Sequence, residues 1–143
     1  MTDPKNKPAL VTQFMEAMPY SKALKLKVES AEPGELVVSM PYSDELVGDP
    51  ETGVIHGGAV SALMDTTCGG AVMAHPKTTL LTATLDLRID YMRPAKPGHT
   101  ITTRATCYHV TRSVAFARAV AYDDDPDRPV ATATGAFTVE QSK

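Results

Sequence analysis

The stretch GVIHGGAVSALMDTTCGG, residues 53–70, gathers His56, Gly57, Gly58, Ser61, Asp65 and Gly69 into one apolar helical run. The amides of a helix's first turn have no partner inside the helix and carry the positive end of its dipole. Gly57 and Gly58, lacking a Cβ, let a carbonyl oxygen come close to those donors. Asp65 follows two turns later, where a lone buried carboxylate would cost several kcal/mol. Donors for a developing oxyanion, with a carboxylate able to act as base or nucleophile, make a set suited to acyl transfer. The plainer readings stand beside this one: an Asp at a partly open helix edge, glycines that allow close packing, and a His56 that only caps. Ser61, Asp65 and Gly69 also share i,i+4 spacing, a stripe of small or polar residues along which a surface or ligand can approach.

The elements that must position these residues are legible in the hydrophobic pattern. Residues 8–18 carry Leu10, Val11, Phe14, Met15 and Met18 at three-and-four spacing after Pro8, which predicts an N-terminal helix within residues 1–19, ended by Pro19. Residues 23–30 and 35–40 alternate around a Pro33-Gly34 turn and predict a hairpin. The run 41–52, rich in Pro, Gly and acids, predicts a surface loop leading into a central helix over 57–74, which His75-Pro76 stops. In LTATLDLRIDYM a period of two puts Leu81, Ala83, Leu85, Leu87, Ile89 and Tyr91 on one strand face and Thr82, Thr84, Asp86, Arg88 and Asp90 on the other. Strands over 100–110, 113–122 and 130–139 complete the pattern, the four runs reading as a meander. A helix too apolar for a surface must be covered, so the fold class is α+β, with an antiparallel sheet curled around the central helix.

The totals narrow the field. The sequence has 143 residues, 43% hydrophobic and 22% charged, with a net charge of −3. That is one domain over 1–143 and excludes a general nucleic-acid surface. Cys68 and Cys107 lack the spacing of a zinc site or a disulfide framework and read as reduced core thiols. His56, His75, His99 and His109 are scattered, so no metal site is expected. Neither a signal peptide nor 18 consecutive apolar residues is found, and a cytoplasmic protein away from membranes is the expectation.

The blocks GVIHGGAVSALMDTTCGG, TATLDLRIDYMRPAKPG and ATATGAFTV together resemble the hotdog-fold thioesterases, specifically the PaaI-type acyl-CoA thioesterase branch, from about residue 20 onward. The resemblance implies a sheet wrapped around a long central helix, matching the pattern above. It implies that Asp65 activates water or attacks the thioester, that the Gly57 amide polarises the thioester carbonyl, and that His56 supports the loop and the carbonyl end. It also implies a strand hydroxyl that positions water across a dimer interface, matched by Thr84. Many members carry an Asn a few residues before HGG. Here Gly48 or Asp49 stands in that neighbourhood, a departure that bears on rate and substrate range.

The same resemblance implies an acyl-CoA substrate, no cofactor, and a homo-oligomer, a tetramer first and a dimer second, with the helix start of one subunit facing the acid of another. Gly58, Ser61 and Gly69 would contact substrate. Arg93, Lys96, Arg112 and Arg128 are the cations placed to meet the phosphates of coenzyme A, Arg93 and Arg112 foremost. The acyl pocket would be lined by the central helix and the loop 41–55. Two other readings are a hotdog module that binds acyl thioesters or small aromatic ligands without turnover, and a hotdog dehydratase, whose His and acid motif is not seen.

Overall fold

The computed structural model describes residues 6–140. Positions 1–5 and 141–143, which fall inside the expected domain and in part inside the expected N-terminal helix, lie outside the described residues.

The first helix, α1 (Lys7–Ala17), carries Pro8 in its opening turn, where a missing N–H costs nothing. Met18 is extended because proline follows it. Pro19 ends α1 as expected and also opens a second short helix, α2 (Pro19–Ala23), whose exit turns through Lys25 at φ 57. This extra turn moves the first strand from its expected start near residue 23 to β1 (Lys27–Glu32). The partner strand is β2 (Glu35–Met40). The segment 41–55 is ordered by a small hairpin of β3 (Val47–Asp49) and β4 (Val54–Ile55) ahead of the central helix α3 (Gly57–Met73). Four strands follow: β5 (Thr84–Tyr91), β6 (Ile101–Val110), β7 (Val114–Tyr122) and β8 (Ala131–Thr138).

Six strands form one antiparallel sheet in the order β1-β2-β6-β7-β8-β5. The last three strands make the expected meander, but β5 lies beyond β8 rather than beside β6. The reason is occupancy: β6 pairs with β2 on one side and β7 on the other. Both edges of β6 are therefore filled, and β5 reaches the free edge of β8.

Odd positions of β6 as far as Cys107, and of β7 and β8, face α3, which fills the sheet's concave side with Leu63, Met64, Cys68 and Val72, all inaccessible to solvent. Leu36, Val38 and Met40 of β2 close the core from the other end of the sheet. At about 25 cal/mol per Å² of apolar surface, this burial is the main force holding helix to sheet. The buried stripe of α1 is Lys7, Val11 and Met15 at i,i+4 spacing. The Lys7 ammonium donates to the carbonyls of His75 and Thr78 and to the Thr78 hydroxyl, placing a cation beside the last turn of α3. Burial lowers the Lys7 pKa from its ordinary value, opposed by Cys107.

The strand β5 departs from its expected alternation. Thr84 pairs with Phe137 and Asp86 with Ala136, so Leu85 is an extra residue, a β-bulge. Thr84 therefore joins Leu87, Ile89 and Tyr91 on the helix side, and Leu85, placed by a strict period of two among the inward residues, is 58% exposed.

Candidate active site

The sheet covers most of α3 but leaves one stripe half open: Ser61, Ala62, Asp65, Thr66 and Gly69. Asp65 is thus neither sealed in the core nor free in solvent, which removes most of the penalty for a carboxylate in an apolar helix. The Thr84 hydroxyl donates to Asp65 Oδ1 at 2.7 Å. That charge-assisted bond fixes one carboxylate oxygen and leaves the other to act.

The start of α3 is built by short-range contacts. The His56 amide donates to the Leu46 carbonyl at 2.8 Å, which joins the β3–β4 hairpin to the helix entrance. The imidazole acts as the N-cap: its Nδ1 accepts the Gly58 N–H at 2.8 Å. A Cβ at residue 58 would stand 2.8 Å from that same Nδ1, so only glycine leaves room for the ring. With the Gly58 amide engaged, the Gly57 N–H is the free-ended donor of the first turn. The Tyr91 hydroxyl donates to the Gly57 carbonyl at 2.9 Å, and the Ser61 hydroxyl lies 3.3 Å from that carbonyl and 3.1 Å from that of Gly58. Tyr91 was legible only as an inward strand residue; its hold on the helix start needed the fold. Gly48 backs directly onto His56, where a Cβ would fall 2.8 Å from the His56 Cα, while Asp49 caps the turn 49–53.

Asp65 and Thr84 line two cavities. One, about 420 Å³, extends toward the helix start past Ser61 and Gly58, with Tyr20 of α2 and Leu87 and Ile89 of β5 as walls. The other, about 280 Å³, extends toward the helix end past Gly69, between α1 and Phe137. Neither is lined by the segment 41–55, which braces His56 instead; the walls come from α1, α2 and β5. A cavity of about 550 Å³ on the opposite sheet face, around Arg104, Arg118 and Thr134, includes none of these residues.

The structure brings Arg93, Lys96 and Arg128 together around Asp123 and Asp124, and sets Arg112 apart from them. Arg93 follows β5, beside the helix start, and forms a two-pronged pair with Asp123 at 2.7 and 2.8 Å while also donating to the Arg128 carbonyl. The Asp123 side chain is fully buried, and the Arg93 hydrogen bonds hold its carboxyl well below the usual carboxylate range against the opposing cost of burial. Lys96 pairs with Asp124 at 2.7 Å. Arg112 stands in the exposed β6–β7 turn, at the other end of the sheet from Arg93.

Among the described residues no cluster of three His, Cys, Asp or Glu could hold a metal ion, and no helix is long and apolar enough to cross a membrane. The family model for the thioesterase superfamily matches residues 52–130. An esterase-named protein of Halobacterium salinarum is 36% identical over 91 residues, 62% of this chain and 60% of its own length. The medium/long-chain acyl-CoA thioesterase YigI of Salmonella typhimurium is 26% identical over 139 residues, 88% of each chain. A crystal structure of a Pseudomonas aeruginosa protein superposes with a TM-score of 0.81 at 44% identity, covering 92% of this chain and 97% of that one. The Escherichia coli PaaI protein of the phenylacetic acid degradation operon superposes with a TM-score of 0.84 at 21% identity over 99% of both chains, a likeness of fold. A six-stranded antiparallel sheet packed on one long helix, with the matched span running from the helix entrance through β7, leads to one assignment: this chain has the hotdog fold and belongs to the thioesterase superfamily.

Proposed function

We propose that this protein is an acyl-CoA thioesterase, hydrolysing its substrate to a carboxylate and free coenzyme A. The observation that carries the reading is the Thr84–Asp65 hydrogen bond of 2.7 Å on the one open stripe of a buried helix. The YigI relative, named for acyl-CoA hydrolysis, supports the substrate class.

Asp65 removes a proton from a water whose oxygen adds to the thioester carbon, and the electron pair of the C=O bond moves to its oxygen. A Gly57 N–H receives that oxyanion. Collapse re-forms the carbonyl and breaks the C–S bond, and the departing thiolate takes the proton held by Asp65. In the alternative course the carboxylate itself adds and expels the thiolate, leaving an acyl-aspartyl anhydride that water cleaves. Single turnover in 18O-labelled water separates the two, since only the anhydride course can leave label in Asp65.

Within one chain Gly57 and Asp65 are eight residues apart along α3, about 12 Å at 1.5 Å per residue. That exceeds what one carbonyl group can bridge, so the Gly57 amide and the carboxylate of one site come from different copies. Free edge β5, with its Leu85 and the flanking Leu81 and Met92 more than half exposed, is suited to joining a second sheet. A dimer is then the smallest active unit, a tetramer its doubling, and Arg112 of one copy is free to approach substrate held by another. Cys68 and Cys107, free and buried, suit a reducing cytoplasm.

The test is thiol release from a panel of acyl-CoAs. Asp65→Ala is expected to lose roughly a hundredfold or more. A wild type that binds acyl-CoAs and hydrolyses none would leave a binding module in place of an enzyme.

A further inference from the structure

We propose that the cavity between α1 and the second half of α3 holds the acyl chain, an unbranched one of medium length, and that Gly69 keeps it open. The inference rests on the thioesterase reading of Asp65 and Thr84, which stand where the two cavities meet. On the helix-start side the walls are Tyr20, Gly58, Ser61, Ala62, Leu87 and Ile89. On the helix-end side the large apolar walls are Phe14, Met15, Met18, Met73 and Phe137, with Gly69 between them and Thr66 and Thr82 alongside. The thioether side chains stand on the helix-end side alone.

The two glycines of that wall differ in what they are for. A Cβ at Gly70 would lie 2.3 Å from Leu36 Cδ2, so packing against β2 demands glycine there. A Cβ at Gly69 would meet only the Phe137 ring, at 3.8 Å, an ordinary contact. Packing gives no reason for glycine at 69, and a helix is weakened by one. What glycine preserves there is volume next to Asp65. Thioether side chains at 15, 18 and 73 adapt to a flexible chain better than to a fixed ring. Met73 lies eight residues past Asp65, about 12 Å along the axis. With carbon–carbon bonds of about 1.5 Å in a zigzag, eight to ten carbons fill that length.

The experiment measures kcat/KM for acetyl-, hexanoyl-, decanoyl-, palmitoyl- and phenylacetyl-CoA with the full chain. Wild type is expected to favour decanoyl-CoA. In Gly69→Leu the decanoyl-to-acetyl ratio should fall tenfold or more, a discrimination within reach of an apolar pocket. Phe14→Ala, at a half-exposed position whose loss spares the core, should lower the same ratio severalfold even if Gly69→Leu does not fold. Ratios that stay at the wild-type value in both variants, or a preference for phenylacetyl-CoA, overturn the proposal. A wild type inert on every thioester overturns the hydrolase reading alone. The pocket is then judged by calorimetric binding of decanoyl-CoA, expected to weaken tenfold in Gly69→Leu and overturned by equal affinity.

Discussion

Thr84 reaches Asp65 because Leu85 is one residue too many in β5. Without the bulge, the strand's alternation would send the Thr84 side chain to the outer face and put Leu85 against the carboxylate. One inserted residue therefore decides whether Asp65 meets a hydroxyl or a hydrocarbon. Thr84→Val, which keeps the shape and removes the donor, is expected to lower kcat/KM for thioester hydrolysis by roughly tenfold or more, the size of one charge-assisted bond. Thr84→Ser should recover most of it. Equal rates in Val and Ser variants would show that the hydroxyl has no part in turnover.

Tyr91 holds the first carbonyl of α3 and so restrains Gly57, whose N–H lies in the preceding peptide unit. Its side chain is about half exposed, so the stability lost in Tyr91→Phe should be small, about 1 kcal/mol. Its effect should fall on kcat rather than KM, since the amide is aimed at charge that develops only in the transition state. A several-fold drop in kcat with KM and melting temperature nearly unchanged is the expected pattern. A change confined to KM would place Tyr91 in substrate binding instead.

These two relationships mark where the sequence stops being readable. The central helix, its entrance at His56 and its stop at Pro76 follow from apolar periodicity and proline chemistry, which are local. The strands β6 to β8 alternate because one face is buried, β7 and β8 along their whole length and β6 as far as the bulge after Cys107. By contrast the bulge at Leu85 depends on the pairing of β5 with β8, and nothing in LTATLDLRIDYM distinguishes Leu85 from Leu87. The short helix α2 was hidden because a proline that ends one helix is equally able to begin the next. Lys7, charged and near the beginning of the chain, gave no sign that it reaches the carbonyls of His75 and Thr78 just past the end of α3. Asp65, Gly57, His56 and Thr84 were singled out by type and spacing. Tyr91, Tyr20 and Phe14 owe their places beside them to tertiary packing alone.

Arg93, read from sequence as a partner for phosphate, spends its guanidinium on Asp123. Removing one member of so enclosed a pair leaves an uncompensated group, and Asp123→Asn is expected to cost about 3 kcal/mol at neutral pH. The pH dependence follows from the depressed Asp123 pKa, whose first cause is the Arg93 hydrogen bonding. A carboxylate whose folded pKa is lowered stabilises the fold above its ordinary value, near 3.8, and loses that contribution as pH falls toward the folded one. The stability gap between wild type and Asp123→Asn should therefore be constant from pH 8 to about 5 and narrow below 4. Denaturant unfolding at a series of pH values measures it. A gap that persists undiminished at pH 2 would mean that packing, not charge, accounts for the loss.

Cys68 lies one turn from Asp65 on α3, and its thiol is pushed up to about 12, by burial first and then by the negative charges of Asp65 and Cys107. At pH 8 the thiolate fraction is then on the order of one in ten thousand, too small for appreciable attack on a chromogenic disulfide reagent. Cys107 is also raised by burial, so the folded protein should give almost no thiol signal, and both cysteines should react once guanidinium unfolds it. Asp65→Ala removes only the second of the causes acting on Cys68, and that thiol should stay silent in the variant too. Colour developed in a thioesterase assay then reports released coenzyme A in wild type and variant alike. Rapid labelling of folded Asp65→Ala, with wild type unreactive, would show instead that the carboxylate and its bond to Thr84 keep the middle of α3 closed against the sheet.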